Sequence, residues 1–554
     1  MTPLPAPASI TLPEWLEDHA RRRGDHVAIR FLQRGEAVTA QASYAELAAA
    51  VAAMAGGLFR AGLAGAPVVL ALPPGLDLII ALLACLRAGA IAVPVPFPAT
   101  GDEARQRLAS VIADLGSGAI LAAPDAAIDA GRLRRIDPAA LDAAPVAVPL
   151  PHPDMPAVIQ YSSGSTQTPR GIVVSHANLV ANEAMIAEVF GSGPEIVAVN
   201  WLPPHHDMGL FGAILHPLFL GGTAVLMPPF AFIQKPLRWL EAIARHGGTI
   251  AGAPNFGYEL CLRRVTPERA AALDLSSLGV AFCGAEPIRA ESLHRFAAYF
   301  AAAGFDAAAL VPCYGLAEAT LLATSTRKGT GLREIVRDGE PDGRRHVACG
   351  TAPTGSRVTI RDLDDGTPLA PGEAGEVCIE GPHVAMGLWH GATATVVPLP
   401  ELDGDGQERW LRTGDIGALT ADGLVVLDRI KDVVIVYGRN IYAADAEAAA
   451  LDAGGPVLAA AAAVALSDAG GERLALLCEV ARAERRTLDL AALRRQVAEM
   501  VATRCGALPT VEFLGFGALP RTTSGKIRRQ AARQALAEGL LNLLPVEDEK
   551  WASA

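Results

Sequence analysis

The chain has 554 residues, 51% hydrophobic and 19% charged, which is enough apolar surface for several packed units and excludes a disordered chain. Lys and Arg number 47 against 59 Asp and Glu, a net charge of −12, which excludes general nucleic-acid binding through a basic surface but not one local anion site. The eight cysteines form no C-x-x-C pair, so neither a zinc ribbon nor a disulfide scaffold is expected. The start, MTPLPAPASITLPEW, is not a secretory signal. The apolar stretch near 67–98 is broken by Pro73, Pro74, Asp77 and Arg87, so no membrane span and a cytoplasmic protein are expected. Only five lysines occur (Lys235, Lys328, Lys431, Lys526 and Lys550), which makes each a candidate for chemistry that Arg cannot do.

In chain order, residues 44–62 read as an Ala-rich helix and VVLAL (68–72) as a strand. LDLIIALLACLRAG reads as a helix, AIAVPVP as a strand and TAVLM (223–227) as another. Pro236 opens a helix with Leu237, Leu240 and Ile243 on one face. GTIAGAP is a strand before a helix near 256–264, and GVAFCG a strand before a helix carrying Leu293, Phe296 and Phe300. Such alternation predicts an α/β fold of mostly parallel sheets covered by helices. From about 350 the pattern turns β-rich (RVTIRD, EVCIEG, LVVLDRI, VVIVYG). After 455 come two strands, a long helix (488–505) and a strand (510–516), a small α+β unit.

Seven segments carry candidate chemistry. Tyr161–Gly171, YSSGSTQTPRG, follows an apolar run and precedes VVSHANL. Its hydroxyls, its free backbone N–H groups and Arg170 suit phosphate oxygens, although it is no Walker A loop. In Trp201–Gly209, His205, His206 and Asp207 lack usual metal spacing, so a substrate-pocket loop is the better reading. Gly284-Ala285-Glu286-Pro287 and Tyr314–Thr320 place carboxylates after strands, where open α/β sheets bind ligands, though either could be an ordinary loop. Arg412-Thr-Gly-Asp415, Asp428-Arg-Ile-Lys-Asp432 and Pro520–Lys526 complete the set. Two of the five lysines fall in the last two, where a solvated charge run is the plain alternative.

In this order and spacing the segments resemble the adenylate-forming superfamily of acyl-CoA synthetases, luciferases and adenylation domains, from roughly residue 10 to 540. WLPPHHDMGLFGAILHPLFLGG, LDLSSLGVAFCGAEPIR, YGLAEATLLAT and WLRTGDIGAL are most similar to its fatty acyl-AMP ligase branch. The resemblance implies a large N-terminal domain over 1–428, with two parallel-sheet subdomains and a β-rich subdomain at about 350–428. It further implies a hinge at 429–432 around Lys431 and a mobile α+β domain over 433–554.

By the same likeness, ATP and Mg²⁺ are the cofactors. Ser162, Ser163, Gly164, Ser165, Thr166 and Arg170 would hold the β- and γ-phosphates. Gly284, Ala285 and Glu286 would line the adenine, with Tyr314 and Gly315 beside it. Asp415 and Arg429 would meet the ribose, and Glu318 would hold Mg²⁺. His206 would sit in the catalytic pocket, and Lys526 would reach the carboxylate and the α-phosphate. Phe211, Ile214, Phe256 and Leu260 are the expected walls of an acyl pocket.

The implied activity is ATP-dependent adenylation of a fatty acid, then acyl transfer to the phosphopantetheine thiol of a discrete holo acyl carrier protein. A CoA acceptor, a nucleotide- or acyl-binding pseudoenzyme and an amino-acid adenylation domain remain as alternatives. Three departures bear on them. Gln167 and Arg170 stand where the family usually shows Gly and Lys. Residues 324–348 look like a shortened form of the branch's insertion, and read as a polar surface excursion. No carrier domain is recognisable after residue 545, so the expected carrier is a separate chain.

Overall fold

The computed structural model describes residues 11–98, 101–141, 146–162, 170–336, 345–399, 401–403, 409–436, 439–468, 471–482, 488–521 and 526–546. Two eight-stranded mixed sheets form the body of the large lobe. The first runs, in spatial order, Leu322–Ser325, Leu310–Gly315, Val280–Cys283, Ile250–Ala253, Val197–Asn200, Thr223–Leu226, Val27–Phe31 and Ala40–Ser43. Its inner pairs are parallel and its two outermost pairs antiparallel. All four residues of Val280–Cys283, and all four of Ile250–Ala253, are buried, as expected for strands covered on both faces.

The second sheet is parallel from Pro156–Ser162 through Ile91–Pro94, Pro67–Leu70 and Ala119–Leu121 to Arg134–Ile136. Arg170–Ser175 and Gly387–His390 add to it antiparallel. A third, antiparallel sheet is built from Arg357–Arg361, Gly375–Glu380, Arg409–Thr420 and Gly423–Arg429. The parallel cores and the β-rich unit match the sequence reading, while the antiparallel edges were not legible.

The covering helices begin where their caps dictate. Ser43 and Glu46 form a reciprocal capping box that opens Tyr44–Arg60, and Ser175 with Asn178 does the same for His176–Phe190. The second helix is apolar enough to be buried nearly all round, so its polar residues need partners. Asn182 supplies one donor and one acceptor to the backbone of Leu322 (2.8 and 3.0 Å). Glu183 pairs with His216 at 2.9 Å, both side chains 1% exposed. His216 directly follows a π-helical turn, Met208–Leu215. That wide turn requires a glycine, because a Cβ on Gly209 would lie 1.9 Å from the Pro203 carbonyl oxygen.

The small lobe has its own core, from Val434 to Leu544, separate from the one that spans Leu12 to Leu424. Strands Leu458–Asp468, Gly471–Val480 and Thr510–Leu514 form its sheet. Helices Ala443–Gly454, Leu490–Cys505 and Arg529–Ala537 complete it. Lys431 is exposed in the short turn Ile430–Asp432 between the lobes.

Within residues 324–348 the expected surface excursion holds for Arg327, Lys328 and Arg333, which are exposed, but not at its start, and 337–344 lie outside the described residues. Thr324, Ser325 and Thr326 are buried at the sheet edge, and Glu334–Val336 pairs with Arg345–Val347 as a small antiparallel ladder. The hydroxyls hid this strand: their polarity reads as a loop, whereas here Thr326 donates to the Pro312 carbonyl through its backbone N–H. No helix of the described residues is long and apolar enough to cross a membrane.

Candidate active site

Parallel strands of the first sheet end on one side, and their carboxyl ends supply most of the candidate residues. Val280–Cys283 delivers Gly284, Ala285 and Glu286. Leu310–Gly315 ends in Tyr314 and Gly315 and leads to a 3₁₀ turn holding Glu318. Val197–Asn200 leads into the loop of His205, His206 and Asp207. Backbone strain is concentrated here. Ala285 (φ 68°) and Thr320 (φ 62°) are two of only three non-glycine residues with positive φ among those described. Thr320 is fixed by a 2.7 Å hydrogen bond from its hydroxyl to the His383 carbonyl.

The third sheet brings a carboxylate to the same place. Asp415 lies opposite Arg429 in the strand register. Its Oδ2 accepts from the Tyr314 hydroxyl at 2.7 Å, and its Oδ1 meets Arg429 Nε at 3.1 Å. Burial pushes the Asp415 carboxyl up, opposed first by Arg429 and then by the Tyr314 hydrogen bond. Glu376 shapes the turn that presents it, accepting from Arg412 Nε at 2.7 Å and from the Gly414 N–H at 3.0 Å.

Glu286 accepts the Phe256 N–H at 2.7 Å, and burial pushes its carboxyl up. Glu318 is half-buried. Burial raises it, Arg429 opposes, and Asp415 and Asp207 add to the rise. A cation beside Glu318 would relieve that crowding of negative charge.

Lys526 comes from the small lobe and is half-buried among these groups. Burial lowers its ammonium, while Asp207, Glu286 and Asp415 act in the opposite direction and Arg429 adds to the lowering. His206 is held well below its ordinary value by burial, then by His205, Lys526 and Arg107. The site therefore gathers Lys526, Glu286, Glu318, Asp415, Arg429, Tyr314 and His206, seven residues from segments widely separated in the sequence.

The phosphate-loop candidates are described only at their edges. Ser162 ends one strand and pairs in register with Arg170, which starts the next and is exposed. Ser163, Gly164, Ser165 and Thr166 lie outside the described residues. A small apolar cavity of about 10 Å³ lies beside the His205 loop, lined by Leu78, Leu82, Val95, His205, Leu210 and Ile214. Ile214 was expected as an acyl wall. Phe211 is fully buried in the core of the lobe, and Phe256 and Leu260 lie on the Asn255–Arg264 helix next to Glu286.

Three residues take a role that the sequence reading does not give them individually. Asp207 caps the π-helical turn through a 2.7 Å contact from the Met208 N–H and faces Lys526. Arg107 binds the Tyr161 carbonyl at 2.7 Å and acts on both His205 and His206. His205 is pushed down to about 3 by burial and Arg107, hence neutral. His205 and Asp207 are legible in the sequence only as members of the pocket loop, with no role of their own. Arg107 carried no signal, lying in the ordinary amphipathic helix Asp102–Leu115.

Residues 16–389 match the family model described as AMP-binding enzyme. A medium-chain-fatty-acid–[acyl-carrier-protein] ligase of Moorena producens is 34% identical, over 97% of this chain and 96% of its own. A long-chain-fatty-acid–AMP ligase of Mycobacterium marinum is 33% identical, over 97% of this chain and 99% of its own. Among solved structures, a fatty acyl-adenylate ligase of Legionella pneumophila in complex with acyl adenylate and pyrophosphate matches at TM-score 0.71 and 32% identity, covering 95% of this chain and 96% of that one. Matches of this extent, over a chain whose strand ends and small-lobe lysine converge on one site, show that it belongs to the AMP-binding enzyme family, in the fatty acyl-AMP ligase branch.

Proposed function

We propose that the protein activates a fatty acid with ATP as the acyl-adenylate, releasing pyrophosphate, and passes the acyl group to the phosphopantetheine thiol of a discrete holo acyl carrier protein. The observation that carries this reading is Lys526 of the small lobe, held among Asp207, Glu286 and Asp415 beside the Tyr314–Asp415–Arg429 chain.

A carboxylate is ionised at neutral pH and needs no base to attack the α-phosphorus. The new bond is acyl oxygen to phosphorus, and the bond that breaks leaves pyrophosphate. The barrier lies in bringing two anions together, so positioning and charge neutralisation are what the site supplies. Lys526 is suited to meet both anions, being a compact cation on a flexible stem. The Asp415 carboxylate is an acceptor only, suited to the ribose hydroxyls, and Tyr314 and Arg429 fix its orientation. Glu286 with Gly284 and Ala285 suits the adenine edge. Arg170, with the Ser162–Thr166 segment, suits the β- and γ-phosphates. Mg²⁺ held by Glu318 would neutralise phosphate charge, and one carboxylate suffices where phosphates provide other ligands. His206, kept neutral, can donate a hydrogen bond to the acyl carboxylate without repelling Lys526.

The apolar lining of Leu78, Leu82, Leu210 and Ile214 is the proposed entry for the acyl chain, and these side chains must move apart to admit it, because the space between them holds about one water. Lys431 is the proposed hinge about which the small lobe, residues 433–554, turns for thiol transfer. Fatty-acid-dependent exchange of labelled pyrophosphate into ATP tests the first half-reaction, and its absence across chain lengths would defeat the proposal.

A further inference from the structure

The link between the lobes carries a buried charge cluster that the adenylation chemistry does not use. Arg529, the first residue of its helix, makes a two-pronged contact with Glu447: Nε to Oε1 at 2.7 Å and Nη2 to Oε2 at 2.9 Å. Its Nη1 reaches Asp432 Oδ2 at 2.7 Å and Asp428 Oδ1 at 3.4 Å. Three carboxylates thus share one guanidinium, and the Asp428 side chain is only 2% exposed.

The three differ in where they stand relative to Lys431. Glu447, Asp432 and Arg529 all lie beyond it. Asp428 lies before it, in the strand Gly423–Arg429 and in register with Ile416 of the large lobe. Asp428 makes a second contact across the link, its Oδ2 accepting the Ala444 N–H at 3.1 Å. Ala444 is in the first turn of the helix Ala443–Gly454, whose own N-cap residue, Tyr442, makes no side-chain cap hydrogen bond. A large-lobe carboxylate therefore caps a small-lobe helix, where the unpaired N–H groups and the helix dipole both favour negative charge.

We propose that Asp428 is a latch across the hinge, joined to Arg529 and to the Ala443–Gly454 helix, that holds Lys526 in the activation site. Rotation about Lys431 would carry Arg529, Asp432, Glu447 and Ala444 together and leave Asp428 behind. Both Asp428 contacts would break, while Arg529 would keep its other two carboxylates. Lys526 lies three residues before Arg529, so the same helix start that bears the latch also sets the lysine. Asp428 and Arg529 are thus positioning residues for adenylation and bystanders in thiol transfer. This rests on the reading of Lys431 as the hinge in a two-step ligase.

The two half-reactions separate latch from scaffold. In the full-length protein, Asp428→Ala should lower fatty-acid-dependent pyrophosphate exchange by about ten- to a hundredfold, the scale of a lost cap plus a lost charged hydrogen bond. Acyl transfer from supplied acyl-adenylate to holo carrier protein should stay within about twofold or rise. Asp428→Asn, which keeps one acceptor oxygen, should fall between the two. Val497→Ala cuts a cavity in the small-lobe core away from the link, so it should lower stability but leave the ratio of the half-reactions unchanged. Exchange and transfer falling together in both Asp428 variants, neither changing, or Val497→Ala moving the ratio equally, would overturn the latch. Absence of exchange in the unaltered protein would instead defeat the ligase reading.

Discussion

The Tyr314 hydroxyl donates to Asp415 at 2.7 Å, joining the carboxyl end of a central parallel strand to the antiparallel sheet one hundred and one residues further along. Asp415 is thereby held on one side by a phenol and on the other by Arg429, and its remaining lone pairs are left for a ligand. Removing the phenol should loosen the carboxylate without removing it. Tyr314→Phe is expected to raise the KM for ATP by about three- to tenfold, the scale of one hydrogen bond to a charged group, with a smaller change in kcat. Steady-state exchange kinetics at varied ATP check this. Asp415→Ala should raise the KM further.

Lys526→Ala should slow adenylation by about 10²–10³-fold, the cost of losing one preorganised donor at a site of developing charge. Transfer from preformed acyl-adenylate should change far less, because the proposed rotation of the small lobe about Lys431 takes Lys526 out of the site for that step. Single-turnover measurement of each half-reaction separates the two, and equal losses would contradict the assignment.

Glu318→Gln keeps shape and removes charge. It should raise the Mg²⁺ concentration needed for half-maximal exchange while leaving fatty-acid binding unchanged. Titration of exchange activity against Mg²⁺ checks this, and an unchanged Mg²⁺ requirement would remove Glu318 as the holder of the cation.

The alternation of strands and helices was legible from periodicity, because buried parallel strands are short continuous apolar runs and their helices carry one apolar face. Hence Val280–Cys283, Ile250–Ala253 and the helix Leu490–Cys505 stand near where the sequence put them. The π-helical turn of Met208–Leu215 was not legible, because its cause is the approach of Gly209 to the Pro203 carbonyl rather than any periodicity. The residues that converge were named from motifs, but their partners were not. Glu376, Arg107 and the Asp428–Arg529 contact depend on which elements meet in space, and one sequence carries no signal of that.

The small apolar cavity at Ile214 makes its own prediction. Ile214→Phe should shorten the longest acid accepted, since each methylene denied burial forfeits ~0.8 kcal/mol. Short acids should be activated at nearly unchanged rates. A kcat/KM profile across even-numbered fatty acids measures this, and an unaltered cut-off would place the acyl chain elsewhere.

Acid should destabilise the large lobe through two buried imidazoles. His176 and His383 are fully buried, neither ring nitrogen of either has a partner among the described residues, and burial pushes each down to about 4 from 6.5. The unfolded chain therefore takes up these protons first. Stability is present above pH 6.5 and lost as pH falls toward about 4, by on the order of 3 kcal/mol per residue. Urea unfolding at pH 7.5 and 5 reads the slope. His383→Phe should flatten it, and an unchanged slope would show that His383 does not titrate on unfolding.

The proposed activity ends with the acyl group on a carrier-bound thiol. CoA and a holo carrier protein present the same phosphopantetheine thiol, so only the approach to the site separates them. The direct measurement is acyl transfer with ATP, Mg²⁺ and a fatty acid, to holo acyl carrier protein and to CoA in parallel. We expect a kcat/KM at least about tenfold higher for the carrier, a preference of roughly 1.4 kcal/mol. Acyl-CoA formation as fast as, or faster than, carrier acylation would contradict it.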